Sequence, residues 1–196
     1  VRGGWGFTSF NSLSDLADRV ALAVKQAKLA STGENQLAPV SPVTDRSVMM
    51  AANPLDIPLA EKKRLLDEYN DLIWQTPKIQ TSVIGYGDSL KKTILVTSLG
   101  SFIEQTRADI TLRLSAIATE ASEIQQAGFS VGSRGDFGAI KGLHREVAES
   151  TRNAVAMLSA PQVRGGEYTV VLDPILAGVF AHEAFGHGME TDMFLK

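Results

Sequence analysis

The sequence predicts an α+β fold: a curved, mainly antiparallel sheet with helices packed on one face, followed by a strand and a final helix. Three observations lead there. Over residues 78–131 apolar and polar side chains alternate with the period of a half-buried strand, Ile110, Leu112, Leu114, Ala116 and Ala118 against Asp109, Thr111, Arg113, Ser115 and Thr119. The links that divide this region are short, which favours antiparallel pairing over crossovers. On both sides of it apolar residues recur at helical spacing.

Composition is compatible with a packed core, since 44% of the 196 residues are hydrophobic and 21% charged. A net charge of -3 offers no general attraction to phosphate backbones or anionic lipid, so neither nucleic acid nor a membrane is an expected partner. No apolar run approaches the roughly 20 residues that span a bilayer. The opening residues also lack the basic-then-apolar layout of a secretory signal, which makes a cytoplasmic location the expectation. Cysteine is absent, so a metal must be held by His, Asp or Glu unless another chain contributes.

The elements follow in order. Val1-Arg2-Gly3-Gly4-Trp5-Gly6-Phe7 has no initiator Met and reads as the end of a strand already under way, while Lys196 closely follows the last motif. The chain is therefore expected to be an interior piece of a longer protein. Residues 1–160 are read as an N-terminal α+β domain whose start is missing, and 161–196 as the beginning of a catalytic segment whose rest is missing. Residues 11–14 supply capping side chains to a first amphipathic helix, with Leu13, Leu16, Val20, Val24 and Ala27 at helical spacing up to a break at Gly33. Between Glu34 and Pro58 the prolines at 39, 42, 54 and 58 predict an irregular connection. Pro58 suits the first turn of a second helix that buries Leu65, Leu66, Tyr69, Leu72 and Ile73 and ends before Pro77.

Gly85-Tyr86-Gly87-Asp88, Leu99-Gly100-Ser101 and Thr119-Glu120 are read as the turns of the sheet region. After a loop over 132–138, Leu143, Val147, Ala154, Val155 and Leu158 mark a third helix that stops at Pro161. Gly165-Gly166 makes a turn, and 168–172 reads as a short apolar strand. Asp173-Pro174 then opens the last helix, because the carboxylate caps free amides and proline takes the first position without losing a needed donor.

That helix carries His182-Glu183-Ala184-Phe185-Gly186-His187. Hydrolysing a peptide bond at neutral pH requires an activated water, a polarised carbonyl and a proton carrier. Bound zinc supplies the first two, with three protein ligands and one position left for water. Two histidines with a glutamate directly after the first provide two ligands and a general base from one short segment. The spacing is one residue longer than His-Glu-x-x-His. On a regular helix, positions five apart point about 140° away from each other, whereas positions four apart differ by about 40°. The backbone must therefore overwind, bulge or terminate between His182 and His187, and Gly186, with Gly188 beyond it, is the residue type that allows this at least steric cost. An accidental pair, one ring against a carbonyl and the other in solvent, is the bland alternative. Against it, the chain has three histidines and two fall here.

The run Ala177-Gly178-Val179-Phe180-Ala181-His182-Glu183-Ala184-Phe185-Gly186-His187-Gly188-Met189-Glu190-Thr191-Asp192 is similar to the signature of the TldD/PmbA family of metallopeptidases, whose active members carry His-Glu-x-x-x-His. Residues 1–7 also resemble an early strand of that family. The resemblance implies zinc (Zn2+) held by His182 and His187, with Glu183 as the catalytic carboxylate that activates zinc-bound water. It implies a third ligand from a cysteine in the C-terminal half, flexible or leader peptides as substrate, and a dimer, either of identical subunits or with a related subunit lacking the motif. With two histidines and no cysteine, the isolated chain is expected to bind zinc weakly and to turn over negligibly. A rival from another class is a non-catalytic scaffold or regulatory subunit, the role behind this family's description as a modulator of DNA gyrase. Glu190 and Asp192 also match the family pattern, and three roles stay open for them: orienting a histidine, weak ligation, or a surface helix end.

Two other features are set aside. His144 is read as solvated or locally bonded, outside the ligand set. Arg134-Gly135-Asp136 is read as a turn. For an extended peptide substrate, addition as a strand to an exposed sheet edge is the expected mode of binding.

Overall fold

The computed structural model describes residues 3–30 and 38–194. Val1, Arg2, the expected helix break at Gly33, the start of the connection at Glu34 and Lys196 lie outside the described residues. In chain order the body comprises α1 (Leu16–Leu29), β1 (Thr44–Met49), α2 (Leu59–Trp74), β2 (Ile79–Val96), β3 (Phe102–Glu120), β4 (Glu123–Ser133) and α3 (His144–Met157). Single 3₁₀ turns lie at Pro54–Asp56 and Phe137–Ile140.

β3 is the axis of an open, mixed sheet. One edge pairs antiparallel with β2 along nearly its whole length, from Ile79↔Ala118 to Val96↔Phe102. The other edge is shared: β1 runs parallel to its first part, Thr44↔Phe102 to Met49↔Arg107, and β4 antiparallel to the rest, Ile110↔Ser133 to Glu120↔Glu123. The alternation in β3 sorts its side chains as expected, since Ala108, Ile110, Leu112, Leu114, Ala116 and Ala118 are all buried on one face. Against that face pack Tyr69 and Ile73 of α2 and Val147 and Ala154 of α3, with Phe137 and Ile140 between them. Burying a side chain such as Ile110 or Leu112 stabilises by about 1.5–3 kcal/mol. The Tyr69 hydroxyl donates to Ile140 O at 2.6 Å and accepts from Leu143 N–H at 3.2 Å, which ties α2 to the start of α3. The same burial pushes that hydroxyl's pKa up.

The structure corrects the sequence reading at five places, each for a physical reason. Residues 3–10 carry no strand. Phe7 N–H donates to Gln26 Oε1 at 3.2 Å, and a Cβ on Gly6 would fall 1.8 Å from Ala23 O, so this backbone lies against α1 rather than in a sheet. The expected caps of α1 are unused, since Asp15 takes the capping position without a side-chain bond, and among α1 residues Ala27 is the buried one. The connection after Pro42 does contain a strand, β1, in the proline-free run before Pro54, because β3 offers it an edge. Residues 168–172 form no strand, and Val171 is 97% exposed, because no partner strand meets them among the described residues.

Gly85-Tyr86-Gly87-Asp88, read as a turn, instead lies inside β2. Tyr86 and Asp88 point towards α2, where Asp88 receives the ammonium of Lys62 and, at 2.7 Å, the hydroxyl of Tyr86. The Lys62 and Asp88 side chains are 9% and 15% exposed. Burial alone would raise the Asp88 pKa, but the hydrogen bonds from Lys62 and Tyr86 and the Lys62 charge outweigh it and hold the carboxyl below its ordinary range. Tertiary pairing thus overrides a local turn signal.

Candidate metal centre

The site is built on α4 (Pro174–Ala181), and its start is set as expected. Asp173 Oδ1 accepts from Leu176 N–H at 2.8 Å, and Pro174 occupies the first helical position. Past Ala181 the winding changes twice within eight residues. His182–Gly186 is a π turn, His187–Met189 is 3₁₀, and the short α5 (Thr191–Phe194) follows. The bond that closes the π turn runs from His187 N–H to His182 O. Hydrogen bonding from residue i+5 to residue i stacks those two residues one above the other, which a regular helix denies them.

The consequence is convergence. The His182 and His187 rings lie with centroids 4.6 Å apart at an interplanar angle of 73°. One ligand atom from each of His182, Glu183 and His187 can be chosen so that all lie within 4.8 Å of one another. Two nitrogens each about 2.1 Å from one zinc ion are at most about 4.2 Å apart, a span close to the separation within this group. Glu183 Oε2 stands 3.6 Å from His187 Nε2. Between Gly165 and Met193 the chain carries Glu167, Asp173, Glu183, Glu190 and Asp192 and no Lys or Arg, a charge balance that suits a cation. These residues fit a divalent metal by geometry, donor type and charge.

Of the three ways round the spacing problem, the backbone bulges, and it underwinds rather than overwinds. Glycine is not what permits this. Gly186 has φ -58° and ψ -50°, ordinary right-handed helix, and a Cβ added there would sit 3.7 Å from His182 Nδ1, an ordinary contact. The structure also joins a residue whose role the sequence left open, because His187 Nδ1 lies 2.7 Å from Glu190 Oε1. His144 stays apart from the group, its Nε2 bonded to Glu68 and its ring edge-on to Tyr69. In Arg134-Gly135-Asp136, Gly135 has φ +71° and Asp136 caps the following 3₁₀ turn, as a loop would.

Comparison with known proteins agrees in family. A metalloprotease of the cyanobacterium Synechocystis is 40% identical over 198 residues, covering 100% of this chain and 43% of its own length. A metalloprotease of Methanothermobacter thermautotrophicus is 32% identical over 199 residues, covering 99% of this chain and 43% of its own length. This chain therefore spans less than half the length of the curated relatives it matches. A crystal structure from Thermotoga maritima, described as a modulator of a DNA gyrase, superposes with a TM-score of 0.68 at 12% identity, covering 84% of this chain and 37% of that one, which speaks to the fold. The family model of the PmbA/TldA metallopeptidase central domain matches residues 52–155, more than half of the chain. The α+β body, the metalloprotease relatives and this match together show that the chain belongs to the PmbA/TldD family of metallopeptidases.

Proposed function

We propose that the protein is a zinc-dependent metallopeptidase that cleaves flexible polypeptides or leader peptides, with His182 and His187 as metal ligands and Glu183 as general base. The observation that supports it most is the π turn that turns all three side chains to one place. A scaffold or regulatory subunit has no use for that arrangement, which weighs against the rival role. Bound zinc supplies an acidified water and a Lewis acid for the scissile carbonyl. Glu183 takes a proton from the attacking water and returns it to the leaving amine, so the carboxylate ends the cycle as it began it. His182 and His187 serve as neutral imidazoles, each offering a lone pair. The family resemblance implies a cysteine as third ligand, and this chain has none, so the proposal needs that ligand from outside residues 1–196.

The enzyme is proposed to act in the cytoplasm as a homodimer or with a related subunit. No described helix is long and apolar enough to cross a membrane. The edge of β2 away from β3 has no partner strand among the described residues, which offers an extended peptide a ladder to join with little regard to its side chains. The test compares the full-length protein with its Glu183→Gln variant for zinc content and for cleavage of an unstructured peptide. Equal zinc with cleavage reduced about 100- to 10,000-fold is expected. Equal cleavage by both removes Glu183 from the mechanism and favours the scaffold; a wild type that takes up no zinc removes the metal reading.

A further inference from the structure

We propose that Glu190 is the positioning residue of the centre: its carboxylate accepts the Nδ1–H of His187 and so leaves Nε2 as the bare nitrogen offered to the metal. This rests on the metallopeptidase reading above and assigns the role that reading leaves out. Two successive changes of winding create the contact. The π turn sets His187 over His182, and the chain then tightens to 3₁₀ over His187–Met189. With three residues per turn, side chains at i and i+3 eclipse, which brings residue 190 alongside residue 187, whereas an α-helix would set them about 60° apart. Glu190 itself leaves the helix with φ -69° and ψ 140°, and its N–H donates to His187 O at 3.3 Å. Its side chain is thus turned back along the segment instead of onward.

The chemistry of the contact follows from what each group is able to do. An ionised carboxylate only accepts hydrogen bonds, so at 2.7 Å from Glu190 Oε1 the Nδ1 of His187 must be the donor. In a neutral imidazole the other nitrogen then carries the lone pair. That nitrogen, Nε2, is the one 3.6 Å from Glu183 Oε2. Direct ligation by Glu190 is disfavoured by the same geometry. Its oxygen is engaged at Nδ1 of His187, not at the Nε2 that lies near Glu183, and it is not among the three residues whose ligand atoms converge. A carboxylate behind a ligating imidazole fixes ring orientation and tautomer and strengthens the donor.

The experiment uses the full-length protein, with zinc alone as the probe, titrated in competition with a chromophoric chelator. Glu190→Ala is expected to weaken zinc binding about 10- to 100-fold. Glu190→Gln, whose amide oxygen still accepts from Nδ1–H, should recover most of that loss. An independent readout needs no metal: long-range 1H–15N spectra of the metal-free protein, labelled at histidine, should report the Nδ1–H tautomer for His187 and a shift towards Nε2–H in Glu190→Ala. Glu190→Ala binding zinc as tightly as wild type while His187→Ala loses it would overturn the positioning role and leave the proposed function standing. A wild type with His187 in the Nε2–H tautomer would overturn it as well, whether or not the Ala variant folds. Zinc binding indifferent to His187→Ala would instead remove the metal reading itself.

Discussion

The body around β3 and the segment that carries the metal motif are held in shape by opposite means. In the body, two helices and a sheet enclose side chains brought together from positions 69 to 154, and Tyr69, Ile73, Leu112 and Val147 are fully buried. From residue 156 to 193 no described residue is buried, although α4 is apolar on every side and Phe180 and Phe185 are 64% and 68% exposed. Helices apolar all round belong in an interior or an interface. Yet among the described residues the bonds that mark the site in this segment join near neighbours: the Asp173 cap, the His187-to-His182 amide bond and the Glu190 contact. Packing energy shapes the one region and hydrogen bonds between near neighbours the other, so substitutions should read out differently in the two.

The sharpest contrast is between core and motif apolar groups. Leu112→Ala should lower the free energy of unfolding by about 3–4 kcal/mol, as for other buried leucines. Phe185→Ala should change it by less than about 0.5 kcal/mol, as for surface positions. Urea unfolding of this chain measures both, and comparable losses would mean that the segment packs on the body.

Next is the Lys62–Asp88 pair, where α2 meets β2. Asp88→Ala leaves the Lys62 ammonium enclosed without its counter-charge and should cost about 3 kcal/mol, the low end for a buried pair because Asp88 is partly exposed. Because the Asp88 carboxyl is held below its ordinary 3.8 in the folded chain, its contribution is complete above that value and fades as pH falls through the depressed folded value. Wild type and Asp88→Ala should therefore converge in urea midpoint as the solution is acidified, and a constant gap would deny the ion pair. The smallest effect falls in the motif. Gly186→Ala meets only an ordinary contact with His182 and gains up to about 1 kcal/mol of helix propensity, so zinc affinity of the full-length protein should stay within about twofold. A tenfold loss would restore glycine as a requirement of the bulge.

Much of this was legible in the residues. The alternation from Ile110 to Ala118 named the buried face of β3, the spacing in α2 and α3 named their inner sides, and Asp173-Pro174 placed the start of the motif helix. The distance from His182 to His187 demanded a break from regular winding, although bulging, overwinding and terminating all answered the angular requirement equally well. β1, the straight course of β2 through Gly85 to Asp88, and the empty place where a strand over 168–172 was expected were not legible.

The division follows the reach of the forces. Caps, helical periods and strand alternation are written by residues within a turn or two of one another, and so a single chain of letters contains them. Which strand pairs with which depends on partners far away in sequence, Thr44 with Phe102 and Gly85 with Arg113, and only the assembled sheet settles whether a proline-flanked run or a glycine pair becomes strand. At the His182–His187 motif the letters supplied the candidate donors and the need for a bulge. Three-dimensional winding supplied its kind, π followed by 3₁₀, and with it the carboxylate behind His187.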